Sequence, residues 1–220
     1  MWVKICGMTS EEDALLAVAL GVDAVGFIFA PSPRQMTPSA VREITRRLPP
    51  EILTVGVFKD ELPARVVETV NAAGLKAAQL HGHESREDCG YVAVRVPLVI
   101  TAFEAGDGRL ERAEEYGADI VLIDAPSPGS GKVFDWQLAE GAPRGRRLVL
   151  AGGLNAHNVA DAIRTVHPWG VDVSSGVESA PGRKDPSKMR AFVQAARTAE
   201  PDTYEPPDDR PFDWEEETNL

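Results

Sequence analysis

The chain is predicted to fold as α/β, in a compact single-domain (β/α)8 architecture, the TIM barrel. Three observations carry this expectation. Short apolar runs rich in β-branched residues alternate with helical stretches up to about residue 198, an order that calls for a parallel sheet. Eight such units fit into about 200 residues, near the lower end of the range for the barrel. The competing doubly wound sheet would carry G-x-G-x-x-G after its first strand, and Gly7-Met8-Thr9 does not supply it.

The first strand spans Trp2-Val3-Lys4-Ile5-Cys6-Gly7-Met8, with Cys6 at its C-terminal end. Thr9-Ser10 with Glu12 opens a helix from Glu11 to Leu20, apolar on one face and closed by Gly21. Ala24 to Phe29 is a continuous apolar run, short enough for a strand buried on both faces. A polar loop with Pro31-Ser32-Pro33-Arg34 leads to a helix from Ser39 to Leu48. Ile52 to Phe58 is the third strand, Pro63 to Ala73 a helix, and Lys76 to His81 the fourth strand. A short helix from Glu84 to Cys89, a strand from Leu98 to Phe103 and a helix from Arg109 to Tyr116 follow. Asp119 to Asp124 is the sixth strand, and Ala125 to Lys132 a glycine- and proline-rich loop before a short helix from Asp135 to Glu140. Arg147 to Ala151 runs into Gly152-Gly153, and a helix from Ala156 to Val166 takes Asn155 as its N-cap. Gly170 to Val173 is the eighth strand, followed by Ser174-Ser175-Gly176 and a closing helix from Pro186 to Thr198.

Composition narrows the functional class. No apolar run reaches the ~18 residues of a membrane helix, and no basic-then-apolar leader opens the chain, so a cytoplasmic protein is expected. The two cysteines form neither a disulfide framework nor a CxxC metal pair. Of the net charge of −11, residues 200–220 contribute −8, from nine acids against Arg210 alone, leaving −3 for residues 1–199. A mildly acidic body offers no nucleic-acid surface. The proline-rich acidic tail cannot bury enough apolar surface to offset ordering entropy, so residues 1–199 are expected to form the barrel domain and 200–220 a disordered extension.

Chemistry in a barrel gathers at the C-terminal ends of the strands. Gly152, Gly153, Ser174, Ser175 and Gly176 fall after strands seven and eight, where backbone N–H groups bind phosphate without a lysine. Turns are the commoner use of such residues, but both runs stand at the expected strand ends. Gly129-Ser130-Gly131-Lys132 lacks the glycine and hydroxyl positions of a nucleotide loop and reads as a lid. Cys6, as a thiolate, would serve as a base toward a carbon-bound proton, although a free cysteine is more often a small buried hydrophobe. Alternation puts Lys4 on the same inner face, and a buried lysine needs a carboxylate. Asp172, on the strand that closes against the first, is the candidate. It is counted with Arg34 and His81 among the substrate-binding residues. Asp124 ends an apolar strand, where partial burial would favour its acid form; loop capping is the alternative. Arg34 suits a bidentate carboxylate contact, and His81 fits a site wall and a structural hydrogen bond equally. No metal set emerges. An acid and a base on facing walls above a phosphate cup suggest isomerisation of a sugar phosphate.

These residues resemble the phosphoribosylanthranilate isomerase family of tryptophan biosynthesis. Lys4-Ile5-Cys6-Gly7, Ser32-Pro33-Arg34, Gln79-Leu80-His81-Gly82, Leu122-Ile123-Asp124, Ala151-Gly152-Gly153-Leu154 and Asp172-Val173-Ser174-Ser175-Gly176 are similar to its segments, in order, from residue 3 to about 198. The resemblance implies an Amadori rearrangement of N-(5-phosphoribosyl)anthranilate without cofactor or metal. Asp124 would be the acid, Cys6 the base, Arg34 the holder of the anthranilate carboxylate, and the last two strand-end loops the phosphate site. The small phosphorylated substrate would be the partner, with the chain a monomer or a homodimer. Indole-3-glycerol-phosphate synthase, the nearest enzymatic rival, relies on a catalytic lysine where Cys6 stands. A triose-type isomerase would need a strand-end glutamate. A non-catalytic phosphate-binding barrel would show no turnover at all. Pro126, Pro128 and Ser130 depart from the family's lid, and the tail lies outside its pattern. Deleting residues 200–220 is expected to leave turnover unchanged, measured against the full chain.

Overall fold

The computed structural model describes residues 1–124 and 147–199. The expected lid and the helix at 135–140 lie outside the described residues, as does the acidic tail. Eight parallel strands close into a barrel in chain order: β1 (Trp2–Ile5), β2 (Ala24–Ile28), β3 (Leu53–Phe58), β4 (Ala77–Leu80), β5 (Leu98–Glu104), β6 (Ile120–Asp124), β7 (Arg147–Ala151) and β8 (Gly170–Val173). Helices α1 (Glu11–Ala19), α2 (Pro38–Thr45), α3 (Pro63–Ala73), α4 (Arg86–Ala93), α5 (Val159–Val166) and α6 (Pro186–Thr198) cover the outside. A 3₁₀ segment at Leu110–Tyr116 stands between β5 and β6.

Alternation along each strand sorts side chains between two cores. Val55, Ala77, Ile100, Ile120, Leu122 and Val149 point inward and fill the barrel, above a floor where Trp2 and Trp169 stack at 5.1 Å. Val25, Phe27, Leu80, Ile123 and Val171 point outward into the larger layer beneath the helices. Gly26 faces inward beside β1, and a Cβ there would lie 2.7 Å from Cys6 Sγ and 3.2 Å from Lys4 Cε. The space of one missing side chain is filled by two polar ones.

Local chemistry decided where helices begin. α4 starts later than expected because Ser85 forms a capping box with Asp88. Asn155 does not cap α5. Its side chain accepts from His157 N at 2.8 Å and its backbone donates to Asn158 Oδ1, so the chain makes a turn first and helix begins at Val159.

One element was not anticipated. After a 3₁₀ turn at Ser175–Val177, β9 (Glu178–Ala180) and β10 (Arg183–Lys184) form an antiparallel hairpin. Buried Glu178 anchors it, accepting Arg34 Nε at 2.7 Å, Arg34 Nη2 at 2.6 Å and Lys184 Nζ at 3.0 Å. Burial alone would raise the Glu178 carboxyl, but the hydrogen bonds from Arg34 and Lys184 outweigh it and bring the group below the usual glutamate value.

Two outcomes follow from this packing. Gly26→Ala is expected to destabilise by about 1–3 kcal/mol through overpacking, read as a lower urea midpoint at unchanged slope. The depressed Glu178 carboxyl stabilises the fold fully above its unfolded value, and that contribution is lost as pH falls through the lower folded value. Glu178→Gln should therefore flatten the acid limb of a stability-versus-pH profile.

Candidate active site

The C-terminal rim of the barrel brings together most of the residues singled out in the sequence. Cys6, Gln79, His81, Asp124, Asp172, Gly152, Gly153, Ser174 and Ser175 all line a single cleft. Cys6 stands just past β1, held by its N–H donating to Val173 O at 2.8 Å. Asp124 ends β6, three strands away around the ring through β7 and β8. The two side chains therefore face each other across the cleft.

Beneath Cys6 lies a buried ion pair. Lys4 Nζ donates to Asp172 Oδ2 at 2.7 Å, joining β1 to β8 as the predicted neighbourhood of those strands required. The lysine stem lies beside the Cys6 sulfur, the two bordering the space above Gly26. Burial works to lower the Lys4 ammonium, but Asp172 and Cys6 beside it win and hold it above the ordinary lysine range. Burial pushes the Asp172 carboxyl up against the pull of Lys4, and its Oδ1 is buried without a hydrogen-bond partner among the described residues. A cysteine that acts as a base needs its thiol lowered toward neutrality, and the surroundings of Cys6 work against this. Burial raises Cys6 above the usual thiol value, opposed by Lys4 and Lys184 and assisted by Asp172.

Asp124 is less enclosed than its apolar strand suggests, with its side chain 34% exposed, because it is the last residue of β6. Its partner is His81, whose Nε2 lies 3.0 Å from Asp124 Oδ2. Gln79 Nε2 lies 3.2 Å from His81 Nδ1. If the amide donates there, the neutral imidazole carries its proton on Nε2 and donates to the carboxylate. His81 is thus a site wall and a hydrogen bonder together.

Between Asp124 and Cys6 around the rim, Gly152 (φ +86°) and Gly153 (φ +62°) adopt left-handed conformations that disfavour other residues. Asn158 Nδ2 fixes this turn by donating to Gly153 O at 3.0 Å. Gly176 is the contact between the loops after β7 and β8, since a Cβ there would run into the Leu154 carbonyl oxygen. Its role is to let the two loops meet, beside the cleft rather than in its wall. Ser174 Oγ is buried and unpaired among the described residues. The glycine turn and the two serines thus border the same cleft, the residue types that the anion reading of the sequence requires.

Arg34 approaches from the loop after β2. A Cβ on Gly7 would lie 2.7 Å from Arg34 Cδ, so the guanidinium stem passes directly over the turn after Cys6. Its Nε and Nη2 edge is taken by Glu178 rather than left open for a ligand. Sequence reading missed Gln79, Glu178 and Lys184. Gln79 was visible as an inward polar position two residues before His81, and the hairpin as two charged residues flanking Pro181-Gly182. Cys89 is buried in α4 away from the rim, its thiol pushed up to about 11 by burial. Among the described residues, no group of three or more His, Cys, Asp or Glu could hold a metal, and no helix is long and apolar enough to cross a membrane.

Residues 3–195 match the family model for N-(5'-phosphoribosyl)anthranilate isomerase. The enzyme of that name from Pelobacter propionicus is 50% identical over 201 residues, covering 89% of this chain and 95% of that protein. The crystal structure of phosphoribosyl anthranilate isomerase from Thermotoga maritima superposes with a TM-score of 0.82 at 44% identity, covering 90% and 99% of the two chains. A phosphoribosyl anthranilate isomerase in complex with reduced 1-(o-carboxyphenylamino)-1-deoxyribulose 5-phosphate gives 0.79 at 41% identity, with the same coverage. With sequence and fold in agreement along the length of the barrel, the chain belongs to the N-(5'-phosphoribosyl)anthranilate isomerase family.

Proposed function

We propose that this chain converts N-(5-phosphoribosyl)anthranilate into 1-(2-carboxyphenylamino)-1-deoxyribulose 5-phosphate in tryptophan biosynthesis, with Asp124 as general acid and Cys6 as general base. The observation that supports the assignment of roles is that Cys6, just past β1, and Asp124, ending β6 three strands away around the ring, line one cleft together with Gly152, Gly153, Ser174 and Ser175. Asp124 gives its proton to the furanose ring oxygen. The C1–O bond breaks as the amine lone pair forms a protonated C1=N bond, opening the ring. Cys6, as thiolate, takes the C2 proton. The C–H electron pair becomes the C1=C2 bond, and the C=N electrons return to nitrogen. The resulting enol gains a proton at C1 and loses its hydroxyl proton, leaving the C2 ketone. No proton is gained or lost overall.

The remaining residues bind and orient. His81 holds the Asp124 carboxyl from the β4 side. Arg34 takes the anthranilate carboxylate with the N–H groups that Glu178 leaves free. Asp172 offers its unpaired Oδ1 to a substrate hydroxyl. Gly152, Gly153, Ser174 and Ser175 receive the phosphate, with Gly176 keeping their loops together. The catalytic unit is residues 1–199, working as a monomer or a homodimer, with 200–220 an extension outside it.

Turnover is followed as loss of the substrate's fluorescence, and an inactive but folded protein would overturn the assignment. Cys6→Ser and Asp124→Asn are each expected to lower kcat by about 10²- to 10⁴-fold with little change in KM. Near-normal kcat in either variant would remove that residue's role.

A further inference from the structure

Cys6 has to lose its proton in a place where burial opposes the charge, so something in the barrel must favour the thiolate. Four charged groups reach it. Lys4 lies on its own strand, Asp172 on β8, Lys184 on β10 and Arg34 on the loop after β2. Lys184 and Arg34 both spend hydrogen bonds on Glu178. Asp172 repels a thiolate, and Asp124 and His81 act on Asp172 from across the cleft. Lys4 differs from all of these. It is fully buried, its ammonium has three donors of which Asp172 accepts one, and its stem lies beside the Cys6 sulfur. Gly26 opens the space that lets the lysine stem and the thiol lie side by side.

We propose that Lys4 is a positioning residue that makes Cys6 competent as a base, its ammonium shared between Asp172 and the sulfur so that the thiolate forms against a fixed buried cation. Asp172 has the opposite influence on the thiolate. It keeps Lys4 charged and in place, and holds back part of the lysine's pull. This rests on the reading of Cys6 as the base.

The test reads the thiol directly, without turnover. The rate of iodoacetamide alkylation of the full chain is measured across pH, with the label assigned to Cys6 by mass spectrometry. Cys89, fully buried and held up to about 11, stays outside the window. Lys4→Met is expected to move the Cys6 profile up by about one unit or more, a tenfold loss of thiolate at fixed pH. Asp172→Asn is expected to move it down. A purely structural ion pair would leave the profile in place or move it in the same direction in both variants, and either result overturns the proposal. If Lys4→Met does not fold, the Asp172→Asn profile decides alone: a downward shift supports the proposal, and an unchanged or raised profile overturns it. An inactive wild type whose thiol still responds in opposite directions would count against the isomerase reading and leave the Lys4 proposal standing.

Discussion

The Lys4–Asp172 ion pair is the constraint around which the rest of the barrel is arranged. It sits where β8 meets β1, the seam that turns an open sheet into a closed one. Because side chains alternate with period two, a one-residue slip of either strand at the seam would turn its charge out of the barrel into the apolar layer under the helices and leave the other unpaired inside. Removing one partner of such a pair costs about 3–5 kcal/mol, although replacing both by apolar residues is often neutral. A lysine and an aspartate are therefore a poor choice for stability alone. Their presence inside an otherwise apolar barrel points to the chemistry one layer above them.

That layer is shaped as much by side chains that are missing as by those present. Gly26 on β2 leaves the volume that Lys4 and Cys6 share. Gly7 lets Arg34 cross over the strand end, where any Cβ would meet both Arg34 and Ser174. Gly176 lets the loops after β7 and β8 touch, so the proposed phosphate site is one surface rather than two separate turns. Interiors are packed closely enough that each of these contacts is decided by a single methyl group.

The barrel was legible in the sequence because buried parallel strands are continuous apolar runs, and Val3, Val25, Val55, Ile100, Ile120 and Leu150 each mark one. The rim residues were legible for a related reason: Cys6, His81 and Asp124 interrupt or end those runs. What escaped was set by long-range partners. The β9–β10 hairpin has strands of three and two residues, too short for any periodicity to register. Its anchor, Glu178, lies 144 positions from Arg34 in the chain. The start of α5 escaped because the Asn158 side chain accepts from Asn155 N and donates to Gly153 O, drawing residues 155–158 into a turn that the cap preference of Asn155 does not reveal. The raised Cys6 thiol escaped because desolvation depends on the depth of closure, which a strand's sequence does not state.

The engagement of Arg34 by Glu178 fits its proposed contact with the anthranilate carboxylate. A guanidinium has five N–H donors, and Glu178 accepts from Nε and from one Nη2 hydrogen, leaving three, two of them on Nη1. Charge also favours a second carboxylate. Arg34 and Lys184 share Glu178 alone in this cluster, so it carries one uncompensated positive charge until an anion arrives. A solvated arginine would lose side-chain freedom on binding, whereas one already locked to a buried glutamate has lost most of it on folding. The hairpin that the sequence pattern concealed thus serves the site: it holds an aimed cation at the rim above Cys6, with the charge and the free donors that a planar carboxylate requires.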